Sequence, residues 1–168
     1  MAEIIAAWNR EIPDVDASSI AVLIPLIHLA AQLNAMRDTT LRRLGINQGR
    51  LSVLGALRRS GPPYRLSAGE LARQCEVTAG AITQRLDRLE TAGYVTRHQN
   101  PDDRRGVSIQ LTDSGQEKLD VVFRAVMRAD EVLLSFLPAR DREPLTAALH
   151  SWMNAACLDH TAPDFEAH

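Results

Sequence analysis

The sequence predicts a mainly α protein with one small β element, and three observations carry that expectation. Hydrophobic residues reach 45% while aromatics are only 4%, so the apolar content is chiefly Leu, Ala, Val and Ile, which suits helices packed on helices. Apolar residues recur at helical spacing along most of the chain. After Gly93 the pattern changes to two short β-rich runs joined by a basic, turn-rich segment. At 168 residues, the chain has room for one compact domain with a real core and too little for two ordinary ones.

Residues 1–10 are expected to form a short amphipathic helix with Ile4, Ile5 and Trp8 on its apolar side, ended by Pro13. Trp8 reads as a staple holding this helix to the body. Asp16, Ala17, Ser18 and Ser19 offer caps for a long helix reaching about residue 44, with Val22, Leu23, Leu26, Ile27, Ala30 and Leu33 at helical spacing. Pro25 falls inside that pattern and predicts a kink or a break. Gly45 is a stop. Residues 47–59 form the next helix, with Leu51, Leu54 and Leu57 inward, and Ser60-Gly61-Pro62-Pro63 ends it. Tyr64-Arg65-Leu66 is expected to be a short strand.

The stretch 66–112 organises the rest. Ser67 caps a short helix and Glu70, three residues on, reaches back to make a capping box. Cys75-Glu76-Val77 has the length of the tight turn between two crossed helices. Thr78 starts a second helix whose Ile82, Leu86 and Leu89 line one face, leaving Thr83, Gln84, Asp87 and Arg88 on the open side; Gly93 stops it. Residues 94–97 and 107–111 are the two strands, and residues 100–106 join them with several turn formers. A helix-turn-helix followed by a basic hairpin is a winged helix-turn-helix. Thr112, Asp113 and Ser114 then cap a long helix ending before Pro138, with Leu119, Val122, Phe123, Val126, Met127, Leu133, Leu134 and Phe136 as its apolar side. Residues 141–158 form a last helix carrying Leu145, Leu149, Trp152, Met153 and Ala156. The tail after residue 158 is polar.

Charge supports a nucleic-acid partner once its distribution is read. The chain totals −2, yet residues 42–105 hold 12 Arg, no Lys and 6 acidic residues, a local +6, which leaves −8 for the remainder. A positive middle between negative ends coincides with the helix-turn-helix and wing. Cys75 and Cys157 match no metal or redox spacing and are expected to be buried, inert thiols. No signal peptide is recognisable, and the apolar run 20–31, which contains Pro25 and His28, is too short to span a bilayer. A cytoplasmic protein without membrane association is expected. The histidines form no cluster, and His-Glu-x-x-His, Cys-x-x-Cys, P-loop and Gly-x-Ser-x-Gly motifs are lacking. No metal, cofactor or catalytic residue is therefore expected, and the chain is not read as an enzyme.

Within the helix-turn-helix, Thr83, Gln84 and Arg88 are read as DNA contacts rather than ordinary solvated residues, because the open face of the second helix enters the major groove in this geometry. Gln84 suits adenine, and Thr83 a thymine methyl or a phosphate. Thr78 and Gly80 at the helix start are candidates for phosphate contact through backbone amides. Arg88 is expected to share an ion pair with Asp87. Arg104 and Arg105 at the hairpin tip are placed for the minor groove.

The segments DRLETAGYV and NPDDRRGVSIQLT, with Asp103 and Arg105 in an Asp-x-Arg wing followed by Leu111-Thr112, resemble the MarR family of bacterial transcription regulators. The resemblance implies a homodimer in which N- and C-terminal helices of two subunits interleave, a palindromic operator in double-stranded DNA, and Asp103 as the residue that orients the wing. The corresponding parts are 1–45, N-terminal helices for dimerisation and a ligand-pocket lid; 46–112, the winged helix-turn-helix; and 113–168, the C-terminal dimerisation helices. By residue pattern alone the surplus apolar faces could also meet a membrane surface or another protein.

SGPPYRLS, VTAGAITQRLDRLE and NPDDRRGV, together with Trp8, are similar to the urate-responsive branch of that family. That likeness implies an anion pocket in which Trp8, Arg85 and Arg97 match the branch's ligand-binding positions and Ser52 stands where the branch has Asp. A small aromatic or anionic effector is the expected ligand, with urate a poor one. The rival expectations are a constitutive or architectural DNA-binding protein without an effector and, from another class, a small enzyme using the interhelical pocket.

Overall fold

The computed structural model describes residues 1–99 and 107–158, with the backbone alone for 157 and 158. The order is α1 (Ala2–Glu11), a 3-10 turn (Ala17–Ser19), α2 (Ile20–Arg43), α3 (Gln48–Arg59), β1 (Arg65–Ser67), α4 (Ala68–Gln74), α5 (Ala79–Thr91), β2 (Val95–Gln99), β3 (Val107–Leu111), α6 (Asp113–Leu134) and α7 (Ala139–Leu158). The mainly α reading with a small β wing is therefore what the chain adopts. The chain divides into two units, Met1–Asp130 and Glu131–His168.

In the first unit, local chemistry sets the boundaries. The Asp16 carboxylate accepts the Ser18 amide at 2.9 Å and starts the 3-10 turn that leads into α2. Asn47 caps α3 by accepting the Arg50 amide at 2.9 Å. Gly45 and Gly93, at φ 67 and 74, end α2 and α5 in the left-handed conformation that glycine adopts without steric cost. Pro25 does not break α2, which runs on through it: a proline early in a helix forfeits one hydrogen bond, and the turns beyond it propagate normally.

The strands form one antiparallel sheet in the order β1-β3-β2. β1 pairs with β3 through Arg65–Gln110, Leu66–Ile109 and Ser67–Ser108, and β2 pairs along β3 from Val95–Leu111 to Gln99–Val107. The first strand begins one residue later than the sequence suggests, because Tyr64 turns left-handed at φ 58 before the extended run. The hairpin base is tied to the start of α6. Thr112 donates its hydroxyl to Gly93 O at 2.8 Å and accepts the Gly115 amide at 3.0 Å. A Cβ at Gly115 would lie 2.1 Å from Tyr94 O, so only glycine permits this approach.

The core brings together Leu41 of α2, Val53, Leu54, Ala56 and Leu57 of α3, Leu71 of α4, Ile82, Leu86 and Leu89 of α5, the sheet residues Val95, Ile109 and Leu111, and Leu119, Val122 and Val126 of α6. Each fully buried Leu or Ile contributes about 1.5–3 kcal/mol relative to exposure. Leu51, expected inward, is half-buried, while Val53 and Ala56 are buried. Arg37 of α2 grips Asp130 of α6 in a two-point pair, Nε–Oδ1 2.9 Å and Nη2–Oδ2 2.5 Å. Lys118 of α6 donates to Leu44 O at 2.6 Å and lies over the Tyr94 ring at 5.8 Å. Arg58 bonds Gln116 and sits 5.0 Å from the Tyr64 ring centroid.

Much of the apolar surface is uncovered in the single chain. Trp8, 50% exposed, staples nothing into the core; α1 buries no residue, and Trp8 instead lines a shallow groove with Ile12, Val15 and Ile20. Val22, Leu23, Leu26, Ile27 and Leu29 are exposed on α2, and Val121, Phe123, Met127, Val132 and Leu134 on α6. The segment Ala17–Arg43 is long and apolar enough to cross a membrane by length and composition, so the shortness of the run 20–31 does not by itself exclude a bilayer. Arg37 held by Asp130, and Leu41 in the core, bind the far half of that helix to the domain.

The second unit continues from α6 into α7. Arg142 donates to Glu131 Oε1 and to Leu134 O, both at 3.0 Å, and closes the turn between the two helices. Leu149 is half-buried, while Leu145, Trp152 and Met153 are exposed.

Candidate nucleic-acid interface

The helix-turn-helix is built by two caps and one apolar seam. Ser67 accepts the Glu70 amide at 3.1 Å, and the Glu70 carboxylate accepts the Ser67 amide at 2.8 Å and its hydroxyl at 2.7 Å. Those two donors hold the Glu70 carboxyl below the usual range. Glu76, at φ 52, supplies the left-handed residue of the turn. Thr78 caps α5 by accepting the Ala81 amide at 3.3 Å. Ile82, Leu86 and Leu89 then face the core, which forces Thr83, Gln84, Asp87 and Arg88 outward.

The exposed face has internal order. Thr83 donates its hydroxyl to Ala79 O at 2.9 Å, leaving its methyl as the free end, which suits a thymine methyl better than a phosphate. Nothing lies within 4 Å of a Cβ position at Gly80, so the start of α5 is open to approach. The expected Asp87–Arg88 pair does not form. Asp87 bonds Arg97 of β2 at 2.5 Å, and Glu90 lies 3.4 Å from the same guanidinium. The reason is reach: neighbours on a helix diverge by about 100°, whereas β2 runs alongside α5. Arg97 thus pairs with both acids of α5, offsetting one of their two charges, and Arg88 has no ion pair among the described residues. Asp103, Arg104 and Arg105 lie outside the described residues.

The four residues assigned to a ligand do not share one cavity in the single chain. Trp8 lines the N-terminal groove. Ser52, its hydroxyl donated to Gln48 O at 3.0 Å, lines a cavity of about 390 Å³ with Arg37, Arg59, Cys75, Leu119 and Phe123. Arg85 lines a separate cavity of about 320 Å³ with Asn47, Arg50, Gln84 and Arg88. Arg97 is taken up by Asp87 and Glu90. Cys75 is half-buried and not buried as expected; partial burial pushes its thiol up, against the pull of the Arg85 and Arg59 charges, which favours the protonated form. No group of three His, Cys, Asp or Glu among the described residues is arranged to hold a metal.

Sequence reasoning missed Arg50 and Arg37. Arg50 had a signal: a cation in the first turn of a helix opposes the helix dipole and so asks for an explanation. Arg37 had none, since its partner is 93 positions away.

A recognition helix with an open polar face, an acid-pairing brace and a paired hairpin defines a winged helix-turn-helix DNA-binding regulator. The family model described as MarR family matches residues 44–106. The regulator PecS of Dickeya dadantii (strain 3937) is 29% identical over 149 residues, covering 89% of this chain and 90% of that protein. The transcriptional repressor MdtR of Bacillus subtilis (strain 168) is 33% identical over 109 residues, covering 65% and 67%. Among solved structures, a mutant MarR from E. coli complexed with operator DNA matches with TM-score 0.65 and 27% identity, over 86% of this chain and 96% of that one. The chain belongs to the MarR family of transcription regulators. It is a DNA-binding regulator and not an enzyme.

Proposed function

We propose that the protein acts as a homodimeric repressor that reads an inverted repeat and is released by a small aromatic or anionic effector. The observation that carries this reading is the apolar surface left open on α2, α6 and α7. These helices are too apolar to face water as they stand, and a second copy covers them while placing two copies of α5 at a fixed separation. The division of labour follows: 1–45 and 113–168 for pairing and 46–112 for DNA. Cytoplasmic location accords with a DNA target. That two relatives are named repressors supports repression. Light scattering of the full chain should give twice the chain mass, and anisotropy titrations should show tight binding to duplexes with half-site centres about 10 base pairs, one helical turn, apart. A monomer that binds single half-sites as tightly as the repeat would refute the reading.

Within this reading the residue pattern likens the chain to the urate-responsive branch, with one change that bears on the ligand. Ser52 offers a hydroxyl and no charge in the cavity it shares with Arg37 and Arg59, so the carboxylate-dependent part of a urate switch is absent. Arg37 is already held by Asp130, so the Arg59 guanidinium is the charge that attracts an anion, and the apolar walls accept a ring. An effector that favours the form unable to bind DNA lowers operator affinity by that difference. Tryptophan fluorescence titrations run beside operator release should show weak response to urate and a stronger one to aromatic carboxylates. Tight urate binding with matching release would overturn the role given to Ser52. Silence to both favours a constitutive regulator.

A further inference from the structure

Lys118 is the single lysine among the 19 basic residues of the chain. It stands half-buried on α6, away from the open face of α5. Its ammonium donates to Leu44 O at 2.6 Å. Leu44 closes α2, and among the described residues no backbone amide is bonded to that carbonyl. A helix end leaves its last carbonyls without partners and carries partial negative charge, and a cation placed there answers both.

The same ammonium lies 5.8 Å from the centroid of the Tyr94 ring. Tyr94 is itself fastened to the end of α5. Its amide donates to Leu89 O at 2.9 Å and the Gly93 amide donates to Glu90 O at 2.8 Å, the pair of bonds that closes a helix through a left-handed glycine. The Tyr94 carbonyl accepts the Thr112 amide at 3.1 Å and fills the space beside Gly115 where a Cβ would stand. Two residues back along α6, about 200° around the helix, Gln116 bonds Arg58 of α3. The first turns of α6 therefore hold α3 on one side and, through Lys118, the ends of both α2 and α5 on the other.

We propose that Lys118 is a positioning residue: it fixes the setting of α5 and β2 against α2 and α6, and through that setting the half-site spacing that the dimer accepts. It acts through Leu44 and Tyr94. The inference rests on the reading above, in which α2 and α6 pair two copies and α5 enters the groove. Leverage makes a single tie consequential. A tilt of about 10° over the roughly 20 Å length of α5 moves its far end by about 3.5 Å, one base-pair step. A compact ammonium on a flexible stem can meet a carbonyl and a ring face at once.

The test uses the full chain and duplexes selected from a random pool, carrying the repeat at its selected spacing or with one base pair inserted or removed. K118M keeps the stem and loses the cation. K118R keeps a cation at the end of α2. Tyr94→Leu removes the ring and keeps the bond to Leu44. Val53→Ala opens the core of α3 away from the tie and controls for lost stability. Wild type, K118R and Val53→Ala should bind the respaced duplexes at least about tenfold more weakly than the selected one, and K118M less than about threefold more weakly, with Tyr94→Leu between them. In the DNA-free protein, K118M should speed amide hydrogen exchange about tenfold in residues 41–46 and 92–97 and leave residues 53–57 at the wild-type rate. Wild-type spacing selectivity in K118M overturns the proposal whatever the exchange shows, and so does a loss of selectivity in Val53→Ala equal to that in K118M. A wild-type protein indifferent to spacing counts instead against the inverted-repeat reading. The exchange comparison then judges the tie: unchanged rates in K118M at both segments overturn it, and faster exchange at both supports it.

Discussion

Ser67 and Glu70 hold each other at the entry to the helix-turn-helix, and the pair has a pH signature. Because the folded state holds the Glu70 carboxyl below its ordinary value, the capping box contributes fully above the unfolded glutamate range. Its contribution fades as pH falls through the lower, folded value. Ser67→Ala should cost about 0.5–2 kcal/mol near neutrality, with the difference from wild type shrinking toward pH 3. Urea unfolding at several pH values between 3 and 7 measures it; a constant difference across that range would show that Glu70 does not titrate with the cap. At the same scale, Cys75 illustrates how burial outweighs charge: two nearby arginines pull its thiol down, and desolvation still leaves it raised.

At the scale of elements, α5 separates two tasks by its period. Ile82, Leu86 and Leu89 anchor it, while Thr83, Gln84 and Arg88 stay exposed, where the proposed function has them meet DNA. Arg97 serves the same helix from the neighbouring strand by pairing with Asp87 and Glu90, which halves the negative charge that those two carboxylates would present to phosphates. Replacing Gln84 with Ala should change base preference at one position in each half-site, at about 1–3 kcal/mol per bidentate contact. Selection from randomised duplexes reads this directly, and an equal loss on every sequence would assign Gln84 to the backbone instead of a base. Among the described parts of the wing, the β2–β3 hairpin was legible from alternation and turn residues, whereas the pairing of β1 with β3 in particular came from the structure. The Arg97 brace was not, since a sequence shows that a cation and two acids exist but not that a strand runs beside a helix.

For the whole molecule, the uncovered helices set the expectation. Phe136, 83% exposed, and Trp152, 44% exposed, sit in the second unit, where α7 has no buried residue of its own among those described. A chain truncated after Pro138 should lose dimerisation and tight operator binding together, as measured by light scattering and anisotropy. A truncated chain that remains a dimer would remove α7 from the interface.

The sequence by itself determined the helix-turn-helix, its caps, the register of its buried seam and the winged hairpin's existence, because each depends on residues within a few positions of one another: capping oxygens, helical period, turn chemistry. It also marked out the basic middle of the chain, since net charge is a sum over residues and needs no geometry. Only the tertiary structure decided which cations are spent and which are free. Arg37 and Arg97 are held by acids, and Arg50, Arg85 and Arg88 gather around a shared cavity. Ionic pairing depends on distance in space, and elements far apart along the chain set that distance when they pack.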